Sequence, residues 1–141
     1  MLALQDAGYA ISVPFGENTR YDLVIDNGTR LERVQCKTGR FRKGAIRFAT
    51  CSTYAHHKEP RLPHRDYVGE IDSFAVYCHS TNAVYLVPIK DVSTAREGSL
   101  RVDAARNNQK RLVRRAEDYV IRSVVITREP LGSSGARGSC A

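Results

Sequence analysis

The chain has 141 residues, of which 42% are hydrophobic and 26% charged, a composition that excludes a fibrous or disordered protein and suits one domain with its own core. Lysine and arginine number 22 against 15 acidic residues, a formal net charge of +7 that would draw a polyanion to the surface. The four cysteines, at 36, 51, 78 and 140, form no CxxC pair, no secretory leader is seen and the apolar runs are too short to span a bilayer, so a reducing, cytoplasmic setting is expected.

Residues 1–7 read as the end of a helix, with Leu2, Leu4 and Gln5 as good helix formers and Gly8 where a C-terminal stop belongs. Seven residues are too few for a helix stable by itself, so the start is expected either to fray or to continue a helix from upstream. Residues 9–13 (YAISV) form a short predicted strand closed by Pro14, and a loop at 16–19 leads into 20–26 (RYDLVID), Asn27-Gly28 and 29–38 (TRLERVQCKT). Asn-Gly between two β-rich runs is a strong hairpin signal, because both residues tolerate the positive φ that a tight turn demands.

A basic turn at 39–44 precedes a predicted strand at 45–49, and 52–66, with its histidines, prolines and charges, reads as a long loop. Two further strands, 73–78 and 83–88, surround a polar turn at 80–82. Residues 100–102 add an edge strand and 111–119 a short helix. The closing EPLGSSGARGSCA has little apolar surface to bury, so the domain is expected to span 1–126 and the tail 127–141 to be disordered.

With a two-residue turn at Asn27-Gly28, Asp26 faces Thr29 and Asp22 faces Arg33. Alternation then places Asp22, Val24, Arg33, Gln35 and Lys37 on one side, and Tyr21, Leu23, Ile25, Val34 and Cys36 on an apolar side fit for the core. A three-residue loop would break this grouping, whereas a four-residue loop preserves it. The polar side gathers the groups that phosphodiester hydrolysis needs. Asp22 is a hard oxygen ligand for Mg²⁺, Gln35 offers a weaker amide carbonyl and Cys36 a backbone carbonyl. Lys37 is placed to stabilise charge on a phosphate or to orient the attacking water. The competing reading is a surface hairpin whose polar face is simply solvated.

RYDLVID followed by VQCKTGR resembles the PD-(D/E)XK nuclease signature, in which an Asp on one strand and a D/E-x-K triplet on its partner bind the metal. Tyr21 stands at the usual proline and Gln35 at the second acid, a QxK variant similar to the subgroup that contains group I intron homing endonucleases. The flanking GYAISVPFG, YLVPI and LRVDAARNNQKR extend the resemblance over roughly residues 8–119. It implies an α/β fold with a mixed, mostly antiparallel central sheet flanked by helices, the amino-terminal one truncated. It also implies Mg²⁺-dependent cleavage of double-stranded DNA, with Mn²⁺ as a substitute, by a homo-oligomer. In that subgroup a glutamate on the first helix commonly completes the metal site. No glutamate precedes Gly8 here; Asp6 is the only acid on the helix, and Glu17, in the following loop, is the nearest glutamate and the candidate to stand in as a metal ligand.

Arg20, Thr38, Arg40, Arg42 and Lys43 cluster around the motif and are expected to contact DNA phosphates, which position the backbone without reading sequence. Arg111, Arg114 and Arg115 offer a second basic patch. Cys51, His56, His57, His64, Cys78 and His79 match no familiar zinc spacing. Tyr67, Tyr77, Tyr85 and Tyr119 are expected to pack in the core rather than stack on bases. Two rivals share these residues: a junction-resolving nuclease, and a DNA-binding module that does not cut.

Overall fold

β-Branched and aromatic residues in short alternating runs pay little to become extended and bury one side of each strand. In this sequence they build a single mixed sheet of seven strands. The structure, a computed structural model, describes residues 1–16, 19–52, 65–93, 96–104 and 113–123. Glu17, His56, His57, His64, Arg111 and the tail at 127–141 lie outside the described residues.

Helix α1 (Leu2–Asp6) is followed by β1 (Ala10–Ser12), β2 (Leu23–Asp26), β3 (Leu31–Arg42), β4 (Ala45–Ala49), β5 (Ser73–Cys78), β6 (Ala83–Pro88) and β7 (Glu97–Arg101). The path runs β1-β2-β3-β4-β7, with β5 joined to β3 and β6 to β5. Only β3 and β5 run parallel; the other pairs are antiparallel. The mixed, mostly antiparallel sheet is as expected, but the flanking helices are not evident. Among the described residues α1 is the one α-helix, joined by three 3-10 turns.

Two apolar clusters cover the two faces of this sheet. One gathers Ile46, Phe48, Tyr67, Ile71, Phe74, Val76 and Leu100, and the other Leu4, Leu23, Ile25, Val34 and Ala75. Alternation along β5 sends Phe74 and Val76 to the first and Ala75 to the second. Full burial of a side chain such as Phe74 stabilises the fold by about 1.5–3 kcal/mol. Leu4 is 1% exposed, so five-residue α1 is held by tertiary packing and not by its own propensity.

The hairpin turn is longer than two residues. Asp26 pairs with Leu31, leaving Asn27, Gly28, Thr29 and Arg30 in the loop. The Asn27 side-chain oxygen accepts from the Thr29 and Arg30 amides at 3.0 Å each, substituting for a backbone acceptor and stabilising the wider turn. Gly28 has φ of 85°, a value costly for other residues. The longer loop shifts the pairing by two residues, so the faces survive, and Asp22, just ahead of the pair of Leu23 with Val34, comes within side-chain hydrogen-bond reach of Gln35.

Three further expectations change. β3 runs on to Arg42, so the basic turn shrinks to Lys43-Gly44, whose φ values of 49° and 74° fit a tight two-residue hairpin turn of the type that follows the sheet's twist. The described part of the expected 111–119 helix holds only a 3-10 turn at Ala116–Asp118. Its flanks spend their backbone groups elsewhere: Leu86 N donates to Tyr119 O at 2.9 Å and Ile121 N to Val84 O at 2.8 Å, covering the edge of β6. Cys36, expected in the core, is exposed, since it lies beyond the part of its face that Leu4 and Val34 fill.

Candidate active site

β2 begins at Leu23 and pairs with β3 only as far as Val34, while β4 joins β3 only from Arg40. Between them, residues 35–39 of β3 pair with β5 alone. Asp22, just ahead of β2, fills this break. Its backbone N–H donates to Val34 O at 2.9 Å, and its carboxylate oxygen Oδ2 accepts from Cys36 N at 2.8 Å and from Gln35 Nε2 at 2.7 Å. The side chain of Asp22 thus takes a place that a β2 backbone carbonyl would hold in a longer ladder.

Asp22 is exposed and Gln35 partly so. In an extended strand a residue's N–H and C=O point the same way, so the Cys36 carbonyl lies on the Asp22 side with its N–H. Among the described residues no donor is bonded to Asp22 Oδ1 or Gln35 Oε1. One carboxylate oxygen, one amide oxygen and one backbone oxygen are thus left available on neighbouring residues, donor types that suit a hard cation such as Mg²⁺ retaining several of its waters. The set carries a single charge, and no cluster of three His, Cys, Asp or Glu occurs among the described residues. The Cys36 thiol is pushed above its ordinary pKa, first by partial burial of the sulfur and then by the Asp22 carboxylate.

Lys37 lies on the same face as Gln35, two residues on, and turns toward Tyr67, donating from Nζ to the phenolic oxygen at 2.9 Å. Tyr67 is 3% exposed, with its ring 5.7 Å from that of Phe74 in an edge-on contact. The Arg20 guanidinium stacks 4.3 Å from the centre of the same ring. Each Arg20 nitrogen has an internal acceptor: Nε bonds Glu70 Oε2 at 2.5 Å, Nη1 bonds Ser52 Oγ at 2.9 Å and Nη2 bonds Asp66 O at 2.6 Å. Glu70 also pairs with Arg65, and the Arg20 bond is the chief cause holding its carboxyl below the ordinary value.

The other expected contacts fall elsewhere. Alternation along β3 places Thr38, Arg40 and Arg42 on the opposite face from Gln35 and Lys37. Arg40 is paired across the ladder with Arg47, and with Arg42, Lys43 and Glu97 they line an exposed cleft of about 590 Å³. Like charges directly opposite destabilise a sheet, and Glu97 relieves only Arg47, at 2.7 Å. Arg114 and Arg115 are engaged internally, with Asp91 O and Glu117 respectively. Of the possible zinc ligands, Cys51 and Cys78 are buried. Tyr67 and Tyr85 are buried as expected and Tyr119 packs against the same cluster, whereas Tyr77 is 41% exposed.

The residues sequence reasoning missed are Tyr67 in its polar role, Ser52, Asp66 and Glu70. They reach the site across 30 to 50 positions of chain. No local pattern in the sequence marks them, because their contacts are made between distant segments.

A search of curated proteins finds no match. Among solved structures, a bacterial homing endonuclease, I-Ssp6803I, superimposes with a TM-score of 0.58 at 21% identity, over 85% of this chain and 79% of that one. The two share a fold. The PD-(D/E)XK endonuclease family model matches residues 1–122, most of the chain, and the chain belongs to the PD-(D/E)XK endonuclease family.

Proposed function

We propose that this endonuclease hydrolyses phosphodiester bonds of double-stranded DNA with a divalent metal, Mg²⁺ or in its place Mn²⁺, in the manner of a homing endonuclease. The observation that carries the reading is the junction of Asp22, Gln35 and the Cys36 backbone in the gap of the sheet, with Lys37 beside it on one face. Asp22, Gln35 and the Cys36 carbonyl would hold the metal; bound there, it would supply Lewis-acid charge to a phosphate oxygen and acidify a water. Asp22 brings the negative charge that attracts the cation, and Gln35 steadies Asp22 through its amide.

Lys37 supplies a fixed positive charge where the phosphate gains negative charge. Arg40, Arg42 and Lys43 serve as phosphate contacts away from the cut, on the reverse face of β3 and at the hairpin tip, with Thr38 ahead of them. Arg20 is better read as a support for Tyr67 than as a DNA contact, because each of its nitrogens has an internal acceptor. One domain of this size presents one such site, so cutting both strands calls for a homo-oligomer.

The test is incubation of supercoiled plasmid and linear duplex with the protein in Mg²⁺, in Mn²⁺ and in EDTA, alongside Asp22→Ala. Cleavage that needs metal and Asp22 supports the reading. DNA binding in EDTA with no cleavage in either metal points instead to a module that binds and does not cut. Preference for a four-way junction over linear duplex would make the substrate branched DNA.

A further inference from the structure

We infer that Tyr67 is a positioning residue for cleavage, holding the Lys37 ammonium beside the Asp22–Gln35 pair and off the Asp22 carboxylate. This rests on the reading of Lys37 as the charge-stabilising group. A lysine two residues beyond Gln35, on the same face of β3, has a flexible stem with three terminal donors, and the carboxylate of Asp22, which is bonded to Gln35, is exposed. Left to itself it would pair with Asp22, and the pair would neutralise the one carboxylate and withdraw the ammonium from an incoming phosphate. The structure shows no such pair: Nζ is bonded to the Tyr67 hydroxyl at 2.9 Å and lies 4.8 Å from the centre of its ring.

Two features suit Tyr67 to this hold. Its acceptor is neutral, so it fixes the ammonium without cancelling its charge, and the π face adds attraction of the same sign. The ring itself cannot turn away. It is 3% exposed, set edge-on to Phe74 and capped by Arg20, which Glu70, Ser52 and the Asp66 carbonyl anchor. The chain from Glu70 through Arg20 and Tyr67 to Lys37 thus links the segment around residues 66–70 to β3.

The experiment compares wild type, Tyr67→Phe and Phe74→Leu, the last a packing control on the same ring. Two readouts are taken on the full chain: the rate at which an amine-specific acylating reagent labels Lys37 without metal or DNA, measured in an Asp22→Ala background so that a released ammonium has no carboxylate there to pair with, and referenced to Lys90 by mass spectrometry; and, with Asp22 intact, kcat, KM and DNA affinity for cleavage. Tyr67→Phe should raise Lys37 labelling several-fold and lower kcat by on the order of 10–100-fold with DNA affinity unchanged, since the ammonium is misplaced but not lost. Phe74→Leu should lower thermal stability and raise Lys37 labelling less than Tyr67→Phe does, because the Tyr67 hydroxyl and its Arg20 cap remain. Unchanged Lys37 labelling in Tyr67→Phe would overturn the proposal even if Lys37 proves essential. Faster labelling with kcat intact would overturn it from the other side, because Lys37 would then be held by Tyr67 without serving the reaction.

Discussion

Gln35 and Asp22 are joined by a 2.7 Å hydrogen bond from Nε2 to Oδ2, across the end of the β2–β3 ladder. The amide orients the acid where a second carboxylate would repel it. A site with one negative charge in place of two attracts a cation less strongly, and it also meets the anionic phosphate with less repulsion. On the proposed reading, the four-residue loop, which sets the register of β2 against β3, bears on the site's chemistry as well as on the fold.

Lys37→Ala is expected to lower cleavage by about 10²- to 10³-fold, the usual cost of removing one group that stabilises charge in the transition state. Folding and most DNA affinity should remain, because one cation among many contributes little to docking. Plasmid cleavage and fluorescence anisotropy on the same preparation separate the two effects. Equal losses in both would make Lys37 a docking residue.

Arg40→Ala and Arg42→Ala should behave the other way. Their place on the reverse face of β3 removes them from the reaction, so binding should weaken on every duplex sequence and the salt dependence should flatten by about one unit each. Cleavage at saturating DNA should be preserved. A salt slope unchanged by both substitutions would take this cleft out of the interface.

Gly39→Ala probes the packing at the centre of β3. An added methyl group would meet Ile46 Cγ2 at 2.6 Å and Val76 Cγ1 at 2.9 Å, two buried side chains without room to retreat. Overpacking of this kind costs roughly 1–3 kcal/mol. Urea denaturation should show that loss, and a midpoint equal to wild type would mean that the core yields at this point.

Glu70 anchors Arg20, and in the folded state its carboxyl titrates below the ordinary value of 4.5, chiefly because Arg20 donates to it. A depressed folded pKa means that this contribution is complete above 4.5 and is lost as pH falls through the lower, folded value. Glu70→Gln should therefore be less stable than wild type at neutral pH, and the difference should narrow on acidification. Thermal midpoints recorded between about pH 3 and pH 6 test this, and a constant difference across that range would rule Glu70 out as the titrating group.

Much of the framework is legible in local sequence. The strands at 45–49, 73–78 and 83–88 coincide with β4, β5 and β6, because each is a short β-rich run bounded by turn residues. The face shared by Asp22, Gln35 and Lys37 follows from a period of two, which survives an even change in loop length. The turn departs from the two-residue expectation because the Asn27 side-chain oxygen accepts from Thr29 and Arg30 and favours four residues over two. The reach of β3 to Arg42 was hidden by Gly39, which reads as a breaker and is in fact kept small by Ile46 and Val76. The Tyr67 hold on Lys37 had no local signature at all, since it depends on where the parallel β3–β5 pairing brings distant chain.

The central claim, that Asp22 and Gln35 together receive the metal, is tested most directly by calorimetric titration of Mn²⁺ into wild type, Asp22→Ala and Gln35→Glu without DNA. The account predicts one saturable site in wild type, its loss in Asp22→Ala, and tighter binding in Gln35→Glu, where a charged oxygen replaces a neutral one. If Asp22→Ala abolishes binding but Gln35→Glu leaves the affinity unchanged, Gln35 is no ligand and the site contracts to Asp22 and Lys37. Binding in Asp22→Ala equal to wild type would contradict the account outright.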